Sequence, residues 1–106
     1  MKFFLLTVLT VGVLIMAEQA AANEVLAKKS GCLACHGVDK KVLGPSFKDV
    51  AAKYKGDKSA QGKLVAKVKA GGSGVWGAML MPANSPQVKD GDIKSIVKWI
   101  LSLQLK

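Results

Sequence analysis

Every cysteine and histidine of this 106-residue chain falls in one five-residue stretch, Cys32-Leu33-Ala34-Cys35-His36, inside GCLACHGVDKKVLGPSF. Two thiols three positions apart, with an imidazole directly after the second, admit only a few chemistries, and each places its own demand on the fold. The compartment decides which of them can operate. Met1 and Lys2 precede an apolar run over residues 3–16, the layout of a secretory signal, and Ala20 and Ala22 supply the small residues that a cut before Asn23 requires. The run has fourteen residues, whereas a membrane span needs about 20. Residues 1–22 are therefore expected to be a cleaved signal peptide and residues 23–106 one exported domain, with no membrane span in the mature chain.

The 84 residues that remain can bury only a marginal core, and domains of this size usually depend on a disulfide, a metal or another staple. An oxidising compartment makes a disulfide a real competitor for the two thiols. The mature part carries fifteen lysines, no arginine and six acids, a net charge of +9. Such an excess points to an acidic partner or serves solubility. Nucleic acid is not expected, because base and phosphate readers lean on arginine forks and exposed aromatics, and these lysines are scattered along an exported chain.

Four short helices are expected. Asn23 is placed to cap the first, with Val25 and Leu26 on its buried side and an end near Ser30 and Gly31. Ser46 and Asp49 form a capping box for a second, running through Phe47, Val50, Ala51 and Tyr54 and stopping at Gly56. Asp57 is placed to cap a third, with Leu64, Val65 and Val68 on one face. Asp90 is placed to cap the last, whose Ile93, Ile96, Val97, Ile100 and Leu101 fall at i, i+3, i+4, i+7 and i+8, one broad apolar face. Residues 70–91 show no convincing period and no strand. A loop of that length in so small a domain implies that it wraps a ligand.

Among the chemistries open to Cys32, Cys35 and His36, a thioredoxin-like redox pair wants a preceding strand and a βαβ surround that this helical pattern lacks. Structural zinc wants four Cys or His ligands, and the chain has three. A plain disulfide leaves His36 and the long loop without a role. Covalent haem uses all of them: the thiols add to the two vinyl groups, Leu33 and Ala34 set their separation, and His36 is carried beneath the porphyrin to the iron. The haem is then also the missing staple.

Taken together, GCLACH, VLGPSFKDVAAKY, GGSGVWG, MPAN and KWILSL occur in an order that resembles the small bacterial class I cytochromes c, of the c-551/c-552 type, over essentially the whole mature chain. The resemblance implies an all-α class I cytochrome c fold, about four short helices wrapped around one covalently bound haem c. It implies a periplasmic one-electron carrier, not an enzyme, that works as a monomer between acidic redox proteins of a respiratory chain. The rival reading is a five-coordinate haem that binds small gases or turns over peroxide.

A carrier needs both axial positions of its iron filled, and Met with His does so while raising the potential. The mature chain offers Met79 and Met81. Met81 is preferred because Pro82 holds its backbone extended and because MPAN matches the family's ligand motif. The resemblance further implies that Asn84 orients the ligand sulfur, that the carbonyl of Pro45 holds His36, and that Trp76 and Lys67 stand near a haem propionate. Trp76 in the core is the competing placement. Ala78, Leu80 and Ala83 depart from relatives that carry proline there, which implies a looser strap. Phe47, Tyr54, Leu64, Val68 and Trp99 are expected to pack against the haem.

Overall fold

Residues 22–105 are described by the computed structural model, so the expected signal segment lies, except for Ala22, outside the described residues. Helix α1 covers residues 22–29. It is already helical at residue 22, so Asn23 lies within the helix and does not cap it. The end is as expected: Ser30 N–H donates to Leu26 O, and Gly31 turns the chain with φ 85°, a left-handed conformation that costs glycine little. One turn of 3₁₀ helix follows at Cys32–Ala34.

Helix α2, Phe47–Lys53, begins where the capping box put it. The hydroxyl of Ser46, itself buried, accepts the Asp49 N–H at 3.1 Å, which satisfies one of the orphan donors of the first turn. Helix α3, Ala60–Ala70, starts three residues after Asp57. Asp57 still organises the approach, accepting from Ser59 N at 2.9 Å and Ser59 Oγ at 2.6 Å, but the residue at the cap is Ser59. Helix α4, Asp90–Ser102, has Lys89 at its cap and Asp90 in its first turn. The Asp90 carboxylate pairs with Lys69 at 3.0 Å instead of closing its own helix.

The stretch over residues 70–91 is not wholly irregular. Gly72–Gly74 (β1) and Gly77–Met81 (β2) form an antiparallel hairpin with Val75 and Trp76 at its tip. Gly72 pairs with Met81 and Gly74 with Gly77, the register shifting between the two pairs. Three glycines with φ above 100° build this ribbon, and glycine has no side chain to show a period of two. β1 therefore shows no alternation, and β2 carries Ala78, Met79, Leu80 and Met81 in succession, apolar on both sides, so it shows none either.

The core lies where α4 meets α2 and α3. Ile96, Trp99 and Ile100 of α4 join Phe47, Val50 and Ala51 of α2, Ala27 of α1 and Leu103 in one buried cluster, with Leu26, Cys32, Leu33, Tyr54 and Leu64 packed against it. Ile93 and Val97 are almost wholly enclosed as well. Each such side chain contributes about 1.5–3 kcal/mol when removed from water, so α4 supplies much of what holds the domain together. Leu101 is only half-buried, and Trp99 takes the place on the apolar face. No described helix is long and apolar enough to cross a membrane.

Candidate functional site

The turn Cys32–Ala34 carries both thiols and delivers His36. Cys35 N–H and His36 N–H both donate to Cys32 O, at 3.2 and 3.0 Å, so the three side chains leave the backbone within one turn. Both cysteines are free and half-buried. Burial pushes the Cys32 thiol above its ordinary pKa, and Cys35 adds to the effect while a backbone hydrogen bond opposes it. Among the described residues no three His, Cys, Asp or Glu side chains converge to hold a bare metal ion. A structural zinc site would also need a fourth Cys or His, which the sequence does not offer.

His36 is held from several directions. Its Nδ1 lies 2.7 Å from the carbonyl oxygen of Pro45, which can only accept, so Nδ1 carries the proton and Nε2 keeps its lone pair. Phe47 stacks on the ring at 5.1 Å between centroids and 22° between planes, and Trp99 meets Phe47 edge-on at 5.6 Å. The loop closes beneath the ring because Cys35 O accepts from both Leu43 N and Gly44 N. Gly44 then comes so close that a methyl on it would lie 2.6 Å from Cε1 of His36. Phe47 N–H to Gly37 O at 2.9 Å ties the loop to the start of α2. Gly44 is part of the VLGPSF motif, but nothing in the sequence marks its Cα as the close neighbour of the His36 ring.

The second group of candidates hangs on α3 and the hairpin. Met81 ends β2 and is half-buried, whereas Met79 is 64% exposed. After Met81 the chain is strapped to the end of α3: Asn84 N–H donates to Val68 O and Ser85 N–H to Lys69 O. The Asn84 side chain also serves the backbone, giving Nδ2 to Val68 O and Pro82 O, both at 3.2 Å. Both acceptors are backbone carbonyls of the segment that carries and seats Met81, so the amide ties the strap at this point to α3. Lys67 is half-buried, with its ammonium beside Gly72 of β1. Trp76 is not a core residue. It is 45% exposed at the hairpin tip, and Nζ of Lys53 lies 5.5 Å from the centre of its ring, a cation–π contact that links α2 to the hairpin. Tyr54, Leu64 and Val68 are half-buried, while Phe47 and Trp99 are buried.

The donor set suits a covalently held haem. Two free thiols sit one turn apart, an imidazole has its far nitrogen engaged, and glycine backbone clears space against the ring. That defines a c-type haem protein with small helices around the prosthetic group. Residues 20–104 match the Cytochrome c family, and the chain belongs to it. It is 56% identical over 88 residues to cytochrome c-551 of Allochromatium vinosum, covering 83% of this chain and 93% of that one. Against cytochrome c-552 of Hydrogenobacter thermophilus it is 47% identical over 104 residues, covering 98% and 100%. The crystal structure of wild-type Nitrosomonas europaea cytochrome c552 superposes with a TM-score of 0.73 at 49% identity, covering 76% of this chain and 99% of that one. The chain is a small class I cytochrome c, and its cofactor is a covalently bound haem c with iron.

Proposed function

We propose that this protein is a periplasmic, monomeric one-electron carrier that shuttles between acidic redox proteins of a respiratory chain. In this reading Cys32 and Cys35 carry the haem through thioethers, and His36 and Met81 are its axial ligands. The observation that carries it is the His36 Nδ1–H bond to Pro45 at 2.7 Å, which leaves Nε2 as the one basic nitrogen of a ring clamped by Phe47 and Gly44. The haem supplies a ferric/ferrous couple. The hydrogen bond to Pro45 would hold His36 in one orientation in both states, so that little would have to reorganise when the electron moves, and it raises the basicity of Nε2.

Met81 is favoured as the other ligand over Met79 because it is half-buried where the strap meets α3, whereas Met79 is mostly in solvent. A methionine at the sixth position keeps substrates off the iron, and on that ground the protein is read as a carrier rather than an enzyme. Lysines supply the partner preference, and Lys53 at the exposed Trp76 is one such cation next to apolar surface. The test is the absorption spectrum of the purified holoprotein. A low-spin c-type spectrum with a methionine-to-iron band supports the carrier, whereas a high-spin, five-coordinate spectrum replaces it with a gas- or peroxide-binding protein.

A further inference from the structure

Gly71 closes α3 with φ 71° and ψ −159°, a backbone region that in practice only glycine occupies. The space a side chain would take is where the strap runs. A β-carbon on Gly71 would collide with the carbonyl oxygen of Met81 and lie 2.8 Å from both the Pro82 carbonyl carbon and the Ala83 nitrogen. All three are main-chain atoms, which cannot swing aside as the end of a flexible side chain does. Two hydrogen bonds hold the following residues to the same helix end, Asn84 N–H to Val68 O at 3.1 Å and Ser85 N–H to Lys69 O at 3.3 Å. The next residue, Gly72, is the hairpin partner of Met81.

We propose that Gly71 is a positioning residue for the sixth ligand: its bare Cα is the seat on which residues 81–83 rest, and this seat sets how far the Met81 thioether reaches from α3. The inference rests on Met81 being an axial ligand. Gly56 is a built-in control, since it too has a positive φ, of 82°, but nothing lies within 4 Å of the place its β-carbon would occupy. Alanine at either position strains the backbone. Only at Gly71 does it also push the strap.

The experiment compares wild-type, Gly71→Ala and Gly56→Ala holoproteins by the methionine-to-iron band, the midpoint potential and the affinity of the ferric form for imidazole. Gly71→Ala is expected to lose most of the band, fall in potential and bind imidazole at least about tenfold tighter, because a competitor's apparent affinity rises with the fraction of molecules whose own ligand is off. Gly56→Ala is expected to lose thermal stability and keep all three readings. If Gly71→Ala retains wild-type readings, or if Gly56→Ala loses the band equally, the seat is overturned while Met81 ligation stands. A wild-type holoprotein without the band removes the ligand and the seat together. Should Gly71→Ala not accumulate, Gly71→Ala/Pro82→Gly gives the strap room to swing clear of the new methyl. This double variant is expected to fold and to lack the band relative to Pro82→Gly alone, and an equal band in the two overturns the proposal.

Discussion

Nδ1 of His36 gives its proton to Pro45, and the other nitrogen is thereby committed to whatever lies across the ring. Met81 is held instead through the chain that follows it, where Asn84 gives its amide to the carbonyls of Val68 and Pro82 and its N–H to Val68. The proposed ligand pair is therefore unequal: one member is fixed through its own ring, the other through its backbone. Met81→Ala should open the iron to carbon monoxide, lower the potential and abolish the methionine-to-iron band. Met79→Leu, a nearly volume-conserving change that usually costs less than about 1.5 kcal/mol, should leave the spectrum unchanged. The assignment fails if the two outcomes are exchanged, and the double variant controls for capture of the iron by Met79. His36 and Pro45 were legible from the motif and its resemblance. Gly44 and Gly71 were not, because a glycine chosen for what it leaves empty looks like any turn glycine until the neighbouring backbone is in place.

At the scale of elements, periodicity is more legible than capping: of Asn23, Ser46, Asp57 and Asp90, Ser46 alone caps the helix expected of it. Ile93, Ile96, Val97 and Ile100 of α4 and the Ser46 cap stand where the pattern puts them, while Leu101 yields its place on the apolar face to Trp99. Asp57 and Asp90 lie near helix starts for other reasons, one shaping the turn before α3 and the other tying α4 to Lys69 of α3. The hairpin leaves no alternating signal because β1 is Gly-Ser-Gly and β2 is apolar at successive positions while mostly exposed. Asp57 also sets a pH dependence. Ser59 and then Lys63 hold its carboxyl down to a pKa of about 2, against about 3.9 in an unfolded chain. A depressed acid stabilises the fold above its unfolded value and loses that contribution as pH falls through the folded one. Between about pH 4 and pH 2 the wild type should therefore lose more stability than Asp57→Asn, which has already lost it at neutral pH. Urea midpoints across that range check this, and parallel slopes for the two proteins would count against it.

The whole molecule is a small domain whose largest buried side chains come from α2 and α4, and the site loop leans on the same cluster through Phe47. Joint replacement Cys32→Ala/Cys35→Ala, by preventing covalent attachment, should give a protease-sensitive chain without cooperative unfolding, since a domain this size needs its staple. A helical, cooperatively melting double variant would contradict that. With a net charge of +9, electron transfer with an acidic partner should slow as salt rises, because exposed charges are screened beyond about 8 Å at physiological ionic strength. Stopped-flow rates that do not depend on salt would assign the lysines to solubility. The arrangement of the core also bears on biogenesis. Ala27, near the front of the domain, shares one buried cluster with α2 and with residues 96–103, so contacts of very long sequence separation must form before the structure can close. A nascent chain still lacking its last helix has little to collapse onto. For the exported protein proposed above, late closure of this kind would keep the polypeptide threadable until it reaches the side where the haem is joined.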